Sequence, residues 1–468
     1  MSEIRNKTVA IIGGGAAGMM AAVAVLESEP FDSRVRHIDS LSEGGADAAE
    51  VGTADIPDGS GVLLFEKNER LGRKVSISGG GRCNVTTGIA DVRKVLENYP
   101  RGAKFIMSAM FRFPPQAVME WFAGRKVKLV TEADLRVFPF SGKGLEVVEA
   151  VEKYLRELGA RILYNSTIGS VRKEGEKFFL EMKNWVGDEG KPAVYEADAL
   201  IITTGGSAYA QTGSAGDGYE FAKALGHTVT KMVPSLGGLV VAEDFMAELA
   251  GVSVEKAELE LIKGDEAEKK GASGSVLYKR TGPFVFTHKG LSGPAVFALQ
   301  SMAAYEAFSQ TRPLLLRVDF FPDEERGDLK KRLQKAIEQN GKKSAKNLLD
   351  MFLPKSLCGV LLQSCGVSGL AVSGSLTKTE REKIVDVLKD FTLHVTGVCG
   401  GEEFVTAGGI DLKEINSATM ESRICPGLYF AGEILDVDGF TGGFNLQAAW
   451  ATGRLAGESA ASKVKESR

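Results

Sequence analysis

"TVAIIGGGAAGMMAAVAVLE", Thr8 to Glu27, is a β-branched apolar run that breaks into glycines and resumes as an alanine-rich stretch. In order it reads as strand, tight turn and helix, and the turn carries Gly13-x-Gly15-x-x-Gly18. Each glycine has its own reason there. Gly13 permits the change of direction, Gly15 lets the backbone reach a pyrophosphate, and Gly18 lets the helix pack close to the strand. Ala16 and Ala17 fall at the helix N-terminus, where main-chain N–H groups face the anion. A glycine pattern alone says little; set between a strand and a helix, it predicts a doubly wound α/β domain that binds a dinucleotide.

Such a site also needs a carboxylate at the end of the second strand, about 20 residues on, to hold the ribose hydroxyls. Glu66, in "GVLLFEKNE", stands 48 positions after Gly18. The stretch between them, from Phe31 to Gly61, is rich in Gly, Asp, Ser and Ala and has little to bury, so it reads as a flexible surface insertion over 31–61. With the insertion set aside, "GVLLFEKNE" becomes the second strand and Glu66 the ribose partner. Asp39 and Glu43 are weaker rivals.

A second glycine-rich stretch follows at once: "LGRKVSISGGGRCNVTT", Leu71 to Thr87. Glycines without a Cβ permit close approach to a ligand, and the flanking cations mark that ligand as anionic. Lys67, Arg73 and Lys74 are phosphate contacts on this reading, or else a solvated charged face. A second glycine loop placed after the ribose carboxylate is similar to those that flavoproteins run past the pyrophosphate onto the flavin ring. On that reading Ser78, Gly79, Gly80, Gly81, Arg82, Cys83 and Asn84 are expected to form the wall between the two, with Arg82 and Asn84 as planar donors. Near the C-terminus, "PGLYFAGEILDVDGFTGGFNLQAAW" is a strand ending at Gly432 and Glu433, a turn containing Asp438, and a helix that begins near Gly442, Gly443, Phe444 and Asn445 and continues through Leu446 and Gln447. The partial positive charge of that helix N-terminus suits an anionic reduced ring. Gly205, in "GGSAYAQTGSAGDG", joins the cofactor contacts, but its cluster lacks the G-x-G-x-x-G order. There is thus no case for a dedicated NAD(P)H domain, and a nicotinamide reductant has to dock transiently.

These strings resemble the bacterial flavoproteins grouped as the YhiN, BaiN and aminoacetone oxidase family of FAD-dependent oxidoreductases. The similarity runs nearly the full length and includes "RVFPFSGKG", "FTHKGLSGPA" and "VTAGGIDLKEINSATMES". It implies a Rossmann-like FAD-binding domain, discontinuous over 1–230 and 400–468. That domain is interrupted by a β-rich domain over 231–322 and 390–399, which carries a helical insert over 323–389. The residues agree: β-like runs such as "GGLVVAE" and "PLLLRVDF" precede a helical stripe at Leu329, Leu333 and Ile337, and a second at Ile384, Val385 and Leu388. The resemblance implies hydride transfer through non-covalent FAD. The expected reaction is reduction of an activated C=C, in ribosomal RNA uridine or an enone, with NAD(P)H as donor. Oxidation of small amines such as aminoacetone by oxygen is the alternative, and a non-catalytic flavin-binding protein is the third reading.

Composition sets the outer limits. A chain of 468 residues needs more than one core, and a net charge of −4 gives no global pull toward nucleic acid. The five cysteines contain no C-x-x-C pair, which argues against a disulfide framework or a structural zinc site and for reduced thiols in a cytoplasmic protein. No run of about 20 apolar residues predicts a membrane span. Four dispersed histidines make no metal site. Cys83 is either a general acid or a buried packing thiol, and His288, in "FTHKGLSGPA", is either an acid–base group or structural. Lys330 to Lys355 holds eight basic residues against Glu338 and Asp350. That run is a solvated helical face or an electrostatic footprint for RNA phosphate.

Overall fold

The computed structural model describes residues 7–28, 61–186, 192–263, 276–399 and 404–466. All of the 31–61 insertion except Gly61, including Asp39 and Glu43, lies outside the described residues. The chain divides into two compact units, Met1–Val233 with Val405–Arg468, and Pro234–Phe404.

The first unit opens with β1 (Val9–Ile12), α1 (Ala16–Glu27) and β2 (Val62–Phe65), and every position of both strands is buried. α1 is buried continuously from Ala16 through Val25 and so has no solvent face over that stretch. There follow β3 (Thr86–Thr87), α2 (Gly144–Glu157), β4 (Arg161–Leu163), β5 (Ala199–Ile202) and α3 (Asp217–Ala224). α2 is amphipathic, burying Val147, Val148, Val151 and Leu155 at helical spacing.

The second unit is a closed six-stranded barrel with helices packed on it. Its strands are β6 (Leu239–Val241), β7 (Ser253–Lys263), β8 (Val276–Phe286), β9 (Gly290–Ser292), β10 (Leu314–Asp319) and β11 (Phe391–Val398), in the order β6-β9-β8-β7-β10-β11. Between β10 and β11 come α4 (Arg326–Asn340), α5 (Ala345–Leu349), α6 (Lys355–Ser364) and α7 (Lys378–Lys389). β10 alternates buried and half-buried positions, as a barrel wall requires. The helical stretch between β10 and β11 shares a single core with the barrel. Leu329, Leu333, Ile337, Ile384 and Leu388 belong to the same buried cluster as Leu259, Leu316 and Leu393.

The chain returns to the first unit with β12 (Leu428–Phe430) and α8 (Phe444–Glu466). The five-stranded sheet has the order β12-β5-β1-β2-β4 with every neighbour parallel. From β1 the chain first builds outward on one side through β2 and later on the other through β5. That reversal places a ligand crevice at the C-terminal end of β1, where the glycine turn begins. The fold is a Rossmann-like α/β domain with a parallel sheet, joined by a β-rich unit.

Candidate functional site

Two of the three fingerprint glycines are explained by the protein itself. A Cβ on Gly13 would stand 2.6 Å from the Thr203 carbonyl oxygen, and one on Gly18 would stand 1.9 Å from the Gly13 oxygen. Gly15 differs: its φ of −76° suits any residue and nothing lies within 4 Å of a Cβ built there. No side chain caps α1, so its first-turn N–H groups are left for a ligand or water. An open cradle at an uncapped helix start fits a pyrophosphate.

Glu66 follows β2 directly and is 7% exposed. Its carboxylate accepts the Gly14 N–H at 2.8 Å, the Asn68 N–H at 2.8 Å and the Asn68 side-chain amide at 2.7 Å. Burial raises its pKa and these bonds work against the rise. The carboxylate therefore pins the glycine turn to the end of β2, beside the α1 cradle.

The neighbouring cations are engaged within the chain. Lys67 pairs with Asp217 at 2.6 Å, Lys74 with Glu433 at 2.7 Å, and Arg73 donates to the Asn68 side-chain oxygen at 3.3 Å. Lys67 and Lys74, expected as phosphate contacts, thus have their charge met by carboxylates, whereas Arg73, bonded to a neutral amide, keeps its charge.

Gly79, Gly80 and Gly81 have φ of +58°, +70° and +85°, and Cys83 has +59°. The triplet is therefore required by a left-handed run of backbone. Gly80 and Gly81 are also exposed, with nothing within 4 Å of an added Cβ, so the turn presents open main chain. Ser78 and Gly81 hold the loop together: the Ser78 carbonyl accepts the Cys83 N–H at 2.9 Å and the Gly81 carbonyl accepts the Gly144 N–H at 2.8 Å. Arg82 and Asn84, expected as cofactor donors, tie the loop to the hairpin over 129–139 and its flanking turn. Arg82 meets Glu132 at 2.6 Å and lies 3.9 Å over the Phe138 ring, while Asn84 accepts the Val137 N–H at 3.2 Å. Cys83 is 0% exposed beneath the start of α2, and burial pushes its thiol up to about 12.

The returning segment is fixed to the same wall. Glu433 accepts the Thr406 N–H at 3.1 Å while holding Lys74. A Cβ on Gly432 would stand 2.8 Å from that of Ala17, and one on Gly443 would stand 2.2 Å from the Thr86 oxygen. Asn445 clasps Gly439 through both its N–H, at 2.9 Å, and its carbonyl, at 2.7 Å. Buried Gln447 accepts the Thr86 hydroxyl at 2.6 Å and donates to the Phe113 carbonyl at 2.8 Å. Tyr99, not anticipated, donates to the Phe444 carbonyl at 2.6 Å. Leu446 is half-buried and Gly442 has a left-handed φ of +127°. Asp438, expected at the cofactor, is 0% exposed and holds Arg101 with both oxygens. Gly205 is packed against Ser214, whose hydroxyl oxygen would lie 2.5 Å from a Cβ.

His288 lies exposed in the turn between β8 and β9 of the second unit. His227 is buried between Glu414 at 3.1 Å and Ser422 at 2.7 Å. Among the described residues no helix is long and apolar enough to cross a membrane.

Residues 44–459 match the family model described as HI0933-like protein Rossmann domain. The chain is 28% identical over 456 residues to the 3-dehydro-bile acid delta(4,6)-reductase of Clostridium scindens, covering 97% of this chain and 99% of that protein. It is 28% identical over 402 residues to the ribosomal RNA dihydrouridine synthase of Haemophilus influenzae, covering 84% and 91%. Among solved structures, the 3-ketosteroid-delta4-(5alpha)-dehydrogenase of Rhodococcus jostii superposes with a TM-score of 0.47 at 16% identity, over 98% of this chain and 100% of that one.

Proposed function

The chain belongs to the HI0933-like Rossmann family of FAD-dependent oxidoreductases, and from that premise we propose that it reduces an activated carbon–carbon double bond, in ribosomal RNA uridine or an enone, with NAD(P)H as electron donor. The observation that carries the cofactor assignment is the open face at Gly15 on an uncapped α1, beside Glu66. The reductive direction rests on two relatives, one called a reductase and the other a dihydrouridine synthase, each matched over more than four fifths of both chains.

When bound, FAD supplies hydride exchange at its ring. In this reading the α1 first turn receives the pyrophosphate and Glu66 the ribose. Open main chain at Gly80 and Gly81 and the start of α8 flank the ring. The Lys74–Glu433 pair joins the helix at Arg73–Ile77 to the segment after β12, so the two glycine-rich walls are held together. Cys83, whose thiol is pushed up to about 12, gives up a proton reluctantly at neutral pH and serves as packing. His288 remains the acid to test.

The deciding experiment reduces the FAD-loaded protein anaerobically and offers it, separately, a ribosomal RNA transcript, a conjugated enone and air. Rapid reoxidation by RNA or enone with a slow reaction in air supports the reductase. Rapid reoxidation by air, with anaerobic bleaching by small amines, would replace it with the amine oxidase reading. Slow reoxidation of His288→Gln by the double bond, with normal reduction by NAD(P)H, would assign His288 the proton.

A further inference from the structure

The basic run expected over Lys330 to Lys355 does not act as one patch. Lys330, Lys331 and Lys335 of α4 line a groove of about 780 Å³ together with Lys378 and Arg381 of α7, against a single carboxylate, Glu338. Lys342 and Lys343 lie exposed past the end of α4, and the Lys346 ammonium packs toward Gly359. The fold thus leaves Arg332 and four lysines of the run outside the groove and adds two cations from a helix that begins almost fifty positions after Lys330.

The charges in the groove are only partly met. Lys330 is held by Glu382, which also takes Arg326 at 2.9 Å, and Lys331 pairs with Asp328 at 2.9 Å. Arg381 donates to the Gln334 side chain and so stays a net positive charge. Glu380, also on α7, has its carboxylate engaged in capping Thr377. Among the described residues, Lys335 and Lys378 face no carboxylate within ion-pair distance. Lys331 and Lys335 are one helical turn apart on the same side of α4.

We propose that this groove docks the phosphodiester backbone of an RNA substrate, an inference that rests on the RNA branch of the function proposed above. A concave channel lined by cations from two helices suits a strand, whereas a bilayer presents a flat surface. No aromatic side chain lines the groove, so it has no platform for stacking bases and reads the backbone alone.

The test uses the full-length, FAD-loaded protein and a fluorescein-labelled single-stranded fragment of ribosomal RNA, followed by anisotropy between about 50 mM and about 200 mM salt. The double variant Lys335→Glu/Lys378→Glu should bind at least about tenfold more weakly at the low-salt end, with the log–log salt slope reduced by about 0.7 for each phosphate that is no longer neutralised. Lys342→Glu/Lys343→Glu should bind as the parent does. Thermal midpoint and flavin spectrum confirm that both variants fold. Equal binding by parent and groove variant at every salt concentration overturns the proposal, and so does an equal loss in the two variants. Capture of phosphatidylserine-containing vesicles that depends on Lys335 and Lys378, without any effect on RNA, overturns it in favour of a membrane surface. RNA that binds in the groove without reoxidising the flavin leaves the groove standing and removes uridine as substrate. Reoxidation by RNA with an unaltered affinity in the groove variant does the reverse.

Discussion

Gly453 of α8 lies so close to Ala17 of α1 that a Cβ on it would stand 2.3 Å from the Ala17 carbonyl oxygen. One turn on, Gly457 meets the Ala21 carbonyl oxygen at the same 2.3 Å. The helix from the end of the chain is thus seated backbone to backbone on the helix that begins the glycine turn. Glycine in a helix interior costs about 1 kcal/mol relative to alanine, so Gly453→Ala at a free site would stabilise. Here the sign inverts. Overpacking against main chain costs about 1 to 3 kcal/mol, and the thermal midpoint of the cofactor-free protein should fall for Gly453→Ala and fall further for Gly453→Val. A raised midpoint for Gly453→Ala would show that the two helices are not in contact at this turn.

Gly15 and Gly18 separate ligand from fold within one motif. Gly18→Ala drives a methyl into the Gly13 carbonyl and should destabilise the cofactor-free protein. Gly15→Ala adds a Cβ that meets nothing within 4 Å at an ordinary φ, so the cofactor-free protein should melt close to the parent. Its FAD affinity, measured by flavin fluorescence during titration, should nevertheless fall at least about tenfold, the equivalent of about 1.4 kcal/mol. Unchanged affinity would place the pyrophosphate elsewhere.

The fold was legible where its information is local. β1, the glycine turn and α1 lie within twenty consecutive residues, and Glu66 follows directly on a four-residue apolar strand. The alternation of β10 and the stripe of α4 are equally local. What escaped is built from partners far apart in the chain. Arg101 and Asp438 are 337 positions apart and Lys74 and Glu433 are 359 apart, so no spacing rule connects them. For the same reason Lys378 and Arg381 were not read together with Lys330. Gly79 to Gly81 escaped differently: a glycine that gives room to a ligand and a glycine that permits a left-handed turn are the same letter, and only φ distinguishes them.

Asp436 gives the first unit a stability that depends on pH. Burial raises its carboxyl pKa and Asp438 adds to the rise, while Thr230, at 3.0 Å, Arg101 and the Gly408 backbone oppose it. Because the folded state holds this proton more tightly than the unfolded chain, the contribution is fully present below the ordinary aspartate range of about 3.9 and is lost as pH rises through the raised value. Asp436→Asn cannot titrate. Its denaturation midpoint relative to the parent should therefore rise as pH increases from about 4 toward neutrality. Parallel midpoint curves for the two proteins would mean that Asp436 titrates alike in the folded and unfolded states.

Gly80 decides whether the left-handed loop also carries the cofactor. Its φ is +70° and an added Cβ would meet nothing within 4 Å. Asparagine enters that region readily, whereas a β-branched residue is strained there by roughly 1 to 2 kcal/mol. Were the glycine only a turn residue, Gly80→Asn would behave as the parent and Gly80→Val would fail through the backbone alone. If open main chain at Gly80 faces the flavin, Gly80→Asn should melt normally without cofactor yet bind FAD more weakly and shift its visible absorption, because its side chain fills the space the ring needs. Gly142→Asn is the control, with a φ of +67° and equally open space, and should leave both affinity and spectrum untouched. A normal flavin spectrum and affinity in Gly80→Asn would remove Ser78 to Asn84 from the cofactor site and leave the loop as a turn braced by Arg82 and Glu132.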